Sequence, residues 1–399
     1  MPSKMRSLPS SVWALGFVSM LMDTSSELVH SLLPVFMATT LGAGMLTIGL
    51  VEGIAEATAS ITKVFSGGLS DYWRKRKSLV VAGYGLAAFT KPMFPLASSI
   101  GWVFTARFVD RIGKGIRGAP RDALIADVTS EGQRGAAFGL RQSLDTIGAF
   151  IGPLAAIGLM GLFMDDIRSV LWAAVVPAFL AVFVLAVAVR EPAEHRFSRN
   201  QQPRLSFADA KRLGRAFWIV VFLGGVLTLA RFSEAFLLLR AQEAGLSMAQ
   251  VPITLVIMNV VYAVSSYPAG RLADRIDPKL LLILGTAVLI VSDLLLAMSA
   301  TVPVVLAGVA VWGLHMGLTQ GLLAALVADA SPRDLRGTAF GVFNLVTGVL
   351  LLFASVIAGV LWDRHGASVT FLVGAAFSAV TLAGLIAMRT RQSPSGRSY

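Results

Sequence analysis

The chain has 399 residues, 55% of them hydrophobic and only 14% charged, which is more apolar surface than a soluble fold can cover, so it belongs in a lipid bilayer. The formal net charge of +11 raises nucleic acid as a partner, but the cations are spread over loops instead of forming a soluble basic domain, and no nucleic-acid binding is expected. The lack of cysteine excludes disulfides and thiolate metal sites.

A bilayer core of about 30 Å takes roughly 20 apolar residues per helix. The pattern predicts twelve such spans, near 12–37, 45–68, 79–99, 101–122, 135–161, 168–189, 216–240, 250–270, 279–299, 302–326, 337–361 and 367–389. No cleavable signal peptide is expected, because the first apolar run carries Asp23 and Glu27. The cations at Arg74 to Lys77, Arg134, 190–215, Arg275, Lys279, Arg333, Arg336 and both termini fall on one side, whereas 38–46 and 97–101 hold none. The positive-inside rule then puts both termini and the central loop in the cytoplasm, with the protein multi-pass in the inner (plasma) membrane. The Arg-rich stretch 191–215, with Pro192 and Pro203, reads as the linker between residues 1–190 and 216–399.

Helix one carries Asp23, Glu27 and His30, which at 100° per residue lie within roughly 60° of one another. Two carboxylates and an imidazole on one face of a membrane helix can hold the bundle together by pairing with cations, carry protons, or bind a cation. Asp/Glu/His is also acceptable ligand chemistry for a borderline divalent metal, with Glu56 a candidate fourth ligand. Helix two adds Glu52 and Glu56, one turn apart, and Lys63. It ends in Gly67-Gly68-Leu69-Ser70-Asp71-Tyr72-Trp73-Arg74-Lys75-Arg76-Lys77, where small residues and one carboxylate give way to four cations. The same grammar returns in Gly270, Leu272 and Asp274 at a constant offset of 203. Ala126-Asp127 with Arg134-Gly135-Ala136-Ala137-Phe138-Gly139 recurs as Ala328-Asp329 with Arg336-Gly337-Thr338-Ala339-Phe340-Gly341, at an offset of 202.

An internally duplicated hydrophobic chain is the mark of a secondary transporter built from two half-bundles. The chain resembles the major facilitator superfamily, whose loop after the second helix carries G-x-L-x-D followed by basic residues. The resemblance covers nearly the whole chain. It implies an all-α integral membrane fold of twelve transmembrane helices in two pseudo-symmetric six-helix bundles, with a central cavity.

On helix three, Lys91-Pro92 predicts a kink, and the lysine is read as pairing with a carboxylate or touching substrate. Helix four carries Arg107, Asp110, Arg111, Lys114, Arg117 and Arg121 over an arc of roughly 120°. By depth, at about 1.5 Å per residue, Arg111 is expected level with Asp23 and Arg107 with Glu27. Arg117 and Arg121 read as interfacial anchors that snorkel outward. Arg111-Ile112-Gly113-Lys114-Gly115 resembles the superfamily's fourth-helix R-x-x-Q-G motif, with Lys114 in place of the glutamine. On helix five, Gly148 to Pro153 is similar to the G-x-x-x-G-P motif of the superfamily's antiporters, which favours export. Gly152 and Pro153 are expected either simply to pack or to let the half-bundles rock. Arg141 and Asp145, one turn apart, read as a local ion pair.

In the second half, Arg231, Glu234 and His315 are the polar exceptions, and Asp293 reads as a structural hydrogen-bonding group. The chain shows no Walker-type phosphate loop, nucleophile elbow or H-E-x-x-H motif, so it is not expected to be an enzyme or to use a cofactor.

The preferred reading is a secondary active transporter, most simply proton-coupled efflux of a small solute by alternating access, working as a monomer. Asp23, Glu27, His30, Glu52, Glu56, Arg107, Asp110, Arg111, Lys114, Arg231, Glu234 and His315 are the candidate proton or substrate residues. Gly67, Asp71, Arg134, Gly152, Pro153, Gly270, Asp274 and Arg336 are the candidate gating residues. The alternatives are proton-linked uptake of an organic anion on Arg107, Arg111 and Lys114, a divalent-metal exporter using Asp23, Glu27 and His30, and last a non-transporting membrane receptor.

Overall fold

The computed structural model describes residues 8–73, 76–130, 133–189, 211–273, 276–298, 301–332 and 335–391, with the side chain of Asp71 outside that description. Asp274 lies outside the described residues altogether. Every regular element among the described residues is helical. In chain order the α-helices are α1 Ser10–Val35, α2 Met45–Trp73, α3 Arg76–Thr90, α4 Ile100–Val128, α5 Arg134–Leu162, α6 Ile167–Ala173, α7 Val175–Ala188, α8 Arg215–Ala230, α9 Ala235–Glu243, α10 Ile253–Ala273, α11 Pro278–Met298, α12 Val302–Asp329 and α13 Arg336–Arg391.

Eight stretches of the described residues are long and apolar enough to cross a membrane. α1, α3 and α4 are not among them, and the reason is chemical. α3 has only 15 residues before Lys91–Met93 tightens into a 3-10 turn at Pro92. α1 carries Asp23 and Glu27, and α4 carries the charged stripe. α13 is one continuous element except at Gly366, whose φ of 83° only glycine adopts readily. The chain reverses there, since the Thr370 hydroxyl donates to the Ala358 carbonyl at 3.4 Å.

Two of the expected spans are interrupted. The stretch read as 168–189 divides into α6 and α7 around Ala174, and the stretch read as 216–240 divides into α8 and α9. The second break falls on Arg231-Phe232-Ser233, where Arg231 has φ −116° and ψ 82°. Ser233 accommodates it: its amide donates to the Ser355 hydroxyl at 3.2 Å, and its own hydroxyl accepts from the Ala235 amide at 3.3 Å.

The chain divides into two compact units, Met1–Phe36 with Thr58–Arg204, and Met37–Ala57 with Leu205–Tyr399. In the first, α1 packs on α5 and α7, and α3 packs on α4. Packing of α1 on α5 depends on Gly148 and Gly152: a Cβ on Gly152 would stand 2.7 Å from the Thr24 carbonyl oxygen and 2.8 Å from the Leu28 amide nitrogen. Apolar helices in lipid gain little from the hydrophobic effect, so close van der Waals approach of this kind is what joins them. In the second unit, α12 packs on α10 and α11, and α13 on α8 and α11. The start of α2 is capped there by a distant residue. Asp363 accepts from the Met45 amide at 2.8 Å and the Leu46 amide at 2.9 Å, satisfying two N–H groups that a helix start leaves open.

Candidate functional site: a buried charge cluster on α1, α3, α4 and α5

α4 presents its stripe inside the first unit, where Arg107, Asp110, Arg111 and Arg117 are all buried. An ionised group in such a place needs partners. Lys91, at the end of α3, donates to Asp110 at 2.9 Å and to the Ser26 hydroxyl of α1 at 3.1 Å. Asp110 also accepts from the Thr90 hydroxyl at 3.5 Å, and Arg111 lies 3.9 Å from its second oxygen. Lys91 therefore pairs with a carboxylate, one of its two expected roles.

Asp23 meets Arg117, at 3.9 Å, and not Arg111. The match moves along the helix because α4 continues to Val128, six residues beyond its expected end at 122, which slides its register against α1. The antiparallel order is consistent, with Arg121 donating to Ser19 at 2.9 Å one turn further along both helices. Arg117 and Arg121 are thus not snorkelling anchors. Arg117 is buried with its guanidinium 4.5 Å from the centre of the Tyr84 ring, and the Tyr84 hydroxyl shares a 3.0 Å hydrogen bond with Ser19. Tyr84 went unnoticed in the sequence, although Ser19 shares a helical face with Asp23 and pointed to a polar layer extending beyond the acids. Further along, Arg141 bridges Asp145 at 2.9 Å and Asp122 at 3.7 Å, so the expected local pair belongs to a larger chain of charges.

The His30 ring nitrogen Nδ1 lies 3.8 Å from Glu27. Among the described residues no three His, Asp or Glu side chains converge to hold a metal ion, and the cation beside Asp23 is a guanidinium. Asp23 meets the α4 guanidinium, whereas His30 lies beside Glu27 on α1.

Lys114 is exposed on α4. Glu52 and Glu56 belong to the second unit, with Glu52 fully buried. Arg231 and Glu234 flank the break between α8 and α9. His315 is fully buried on α12, its Nδ1 2.7 Å from the Gly285 carbonyl oxygen of α11. Asp293 is fully buried on α11, and neither carboxylate oxygen has a hydrogen-bond partner among the described residues, contrary to the structural bond expected of it. Of the gating candidates, Gly67 lies in α2, Gly270 in α10, and Gly152 and Pro153 in α5 against α1; Arg134 and Arg336 open α5 and α13 and are exposed. At the start of α3, Arg76 pairs with Asp127 and donates to the Ala123 carbonyl at 3.2 Å.

Ionisable side chains paired inside an apolar helical unit are expensive to bury and mark a candidate functional site. The sequence profile of the Major Facilitator Superfamily matches residues 15–349 and 232–398. The chain belongs to that superfamily. It is 34% identical over 385 residues to an uncharacterized MFS-type transporter of Methanocaldococcus jannaschii, covering 94% of each chain. It is 25% identical over 343 residues to a probable 4-methylmuconolactone transporter of Cupriavidus pinatubonensis, covering 82% of this chain and 76% of that one. Its fold is similar to the crystal structure of a mutant form of the nucleoside transporter NupG, with a TM-score of 0.82 at 14% identity over 94% of this chain and 99% of the other. The superfamily member is a multi-pass membrane transporter of small molecules.

Proposed function

We propose that this superfamily member is a proton-coupled secondary transporter that exports a small organic solute across the plasma membrane by alternating access, with Asp23 as the group that exchanges a proton. The observation that carries the reading is the Asp23–Arg117 pair. At 3.9 Å it is looser than a direct hydrogen bond, and the Asp23 side chain keeps 27% of its exposure while Arg117 keeps 5%. A proton on Asp23 would cancel its attraction for Arg117, which Tyr84 then holds by its ring face. Glu27 one turn away and His30 two turns away extend the same face. The twelve-helix, pseudo-two-fold arrangement, with cytoplasmic termini and the gating roles of Asp71, Asp274, Arg134 and Arg336, belongs to this proposal. Export is favoured by the antiporter-like Gly148-to-Pro153 segment of α5.

The test uses purified protein in proteoliposomes, screened electrically against organic acids, sugars, nucleosides and cationic drugs under an imposed pH gradient. Asp23→Asn is expected to abolish pH-driven transport of whichever solute responds while sparing exchange at equal pH. Loss of both activities to the same degree, in a variant that remains monodisperse, would overturn the assignment of the proton to Asp23.

Proton-linked uptake of an organic anion is the second reading, favoured by charge. Lys91, Arg107, Arg111 and Asp110 are all buried on α3 and α4 or in the turn that ends α3. A dense set of cations of this kind suits a carboxylate or phosphate group on the solute. Responses confined to organic acids, with flux following the proton gradient inward, would select it.

A further inference from the structure

The second unit contains a carboxylate with no counterpart in the scheme above. Asp293 sits in the middle of α11 at 0% exposure, with both oxygens lacking a hydrogen-bond partner among the described residues. Its neighbour Ser292 donates to the Gly308 carbonyl of α12 at 2.7 Å. Asp293, about 100° further round the helix, faces the returning half of α13 instead. Gly374 makes room for it there: a Cβ at that position would stand 3.2 Å from Oδ2 of Asp293 and 3.3 Å from the Phe232 ring. Phe232 lies in the break between α8 and α9 and packs against Phe236 at 5.4 Å, Phe371 at 5.3 Å and Trp312 at 5.9 Å. The acid therefore lies beside the Gly374 backbone with the Phe232 ring close by, and no donor among the described residues reaches its oxygens.

The charged groups on the elements around Asp293 make no hydrogen bond to it among the described residues. On α9, Arg240 donates to the Leu296 carbonyl at 2.9 Å and to Glu243 at 3.0 Å. On α12, His315 bonds to Gly285, eight residues before Asp293 and so about 12 Å away along α11. Arg231 and Glu234 flank the break, on either side of Phe232 and Ser233, and α10 contributes Tyr262. The part of α13 that faces Asp293, beyond Gly366, carries no ionisable residue until Arg389.

A carboxylate closed off from water without a donor is strongly disfavoured in its charged form, whereas the neutral acid fits the same space. We propose that Asp293 is a proton-binding site of the second unit, whose protonation closes the packing of α11 and α13 against the break between α8 and α9. The step is a plain equilibrium, a proton from water joining the carboxylate to give the acid. When the proton leaves, the charge calls for water or for Arg231, and both are reached by movement at residues 231–234, where the helical ladder is interrupted.

The experiment needs no transported solute, so it stands or falls separately from Asp23. Infrared difference spectra of the full chain in liposomes would be recorded as bulk pH is stepped, with tryptophan emission followed in parallel to report on Trp312 and Trp362. Wild type is expected to show a protonated-carboxyl carbonyl band that gains and loses intensity with pH, together with an emission change of the same midpoint. Asp293→Asn should remove that band and flatten the emission titration. Gly374→Ala, which keeps the acid but crowds it, should move the midpoint, and this second variant serves if Asp293→Asn proves unstable. A titration unaltered in both variants, or a wild-type band that never responds to pH, overturns the proposal.

Discussion

Lys91 donates to Asp110 at 2.9 Å, with the two side chains only 1% and 4% exposed. Burying such a pair forfeits much hydration, and removing one partner leaves the other charge stranded. Lys91→Met and Asp110→Leu should each lower stability by about 3–5 kcal/mol. The double variant, which removes both members of the pair, should recover part of that loss, with the Arg111 contact to Asp110 also gone. Thermal unfolding of all four proteins in one detergent checks this, and strictly additive losses would contradict it.

The α1–α5 contact gives a prediction with an internal control. A side chain on Gly152 meets the Thr24 carbonyl and Leu28 amide at 2.7 and 2.8 Å, whereas nothing lies within 4 Å of one on Gly158. Gly152→Leu should therefore destabilise by about 1–3 kcal/mol or more through overpacking. Gly158→Ala should be neutral or mildly stabilising, by up to ~1 kcal/mol for an exposed helix position. Equal effects at the two sites would mean that α5 is not held to α1 by close backbone approach.

Helix positions were largely legible in the sequence because hydropathy and length act locally, and α5, α11 and α12 begin within a residue of where they were expected. The charged stripe on α4 was legible for the same reason, since helical periodicity alone puts Asp110, Arg111 and Arg117 on one face. The partner of Asp23 was not legible. It depends on the register of two helices, and a six-residue extension of α4 moves the match from Arg111 to Arg117. The break at 231–234 carries no proline or glycine to announce it; its cue is Ser233, a hydroxyl placed to cap the start of α9. Asp363 as the cap of α2 was out of reach, since 318 positions separate the two partners. The missing partner of Asp293 could be found only from packing.

The Asp363 cap leads to a local prediction within the second unit. Its two oxygens hold the Met45 and Leu46 amides, and N-cap replacements by alanine cost about 0.5–2 kcal/mol. Asp363→Ala should speed hydrogen exchange at Met45 and Leu46 while leaving the middle of α2 protected. Asp363→Asn, which keeps an acceptor, should fall between. Uniform loss of protection along α2 would indicate that Asp363 supports the whole packing of the unit and not the helix start.

Asp166, in the turn between α5 and α6, gives a prediction about pH outside the membrane-spanning segments. Its Oδ2 accepts from the Ser169 hydroxyl at 2.6 Å and its Oδ1 from the Arg168 amide at 3.1 Å. These bonds, Ser169 foremost, hold the carboxyl below its ordinary range. Because the folded value is the lower one, the stabilisation is complete above the unfolded value of about 3.9 and disappears as pH falls through the folded value. The carboxyl resonance of Asp166, followed by NMR through an acid titration, should show a midpoint below that of an unstructured aspartate. Ser169→Ala should move the midpoint upward and weaken protection of the Arg168 amide at the same time. An unchanged midpoint in Ser169→Ala would show that the serine hydroxyl does not hold the charge, leaving the Arg168 amide to account for the cap.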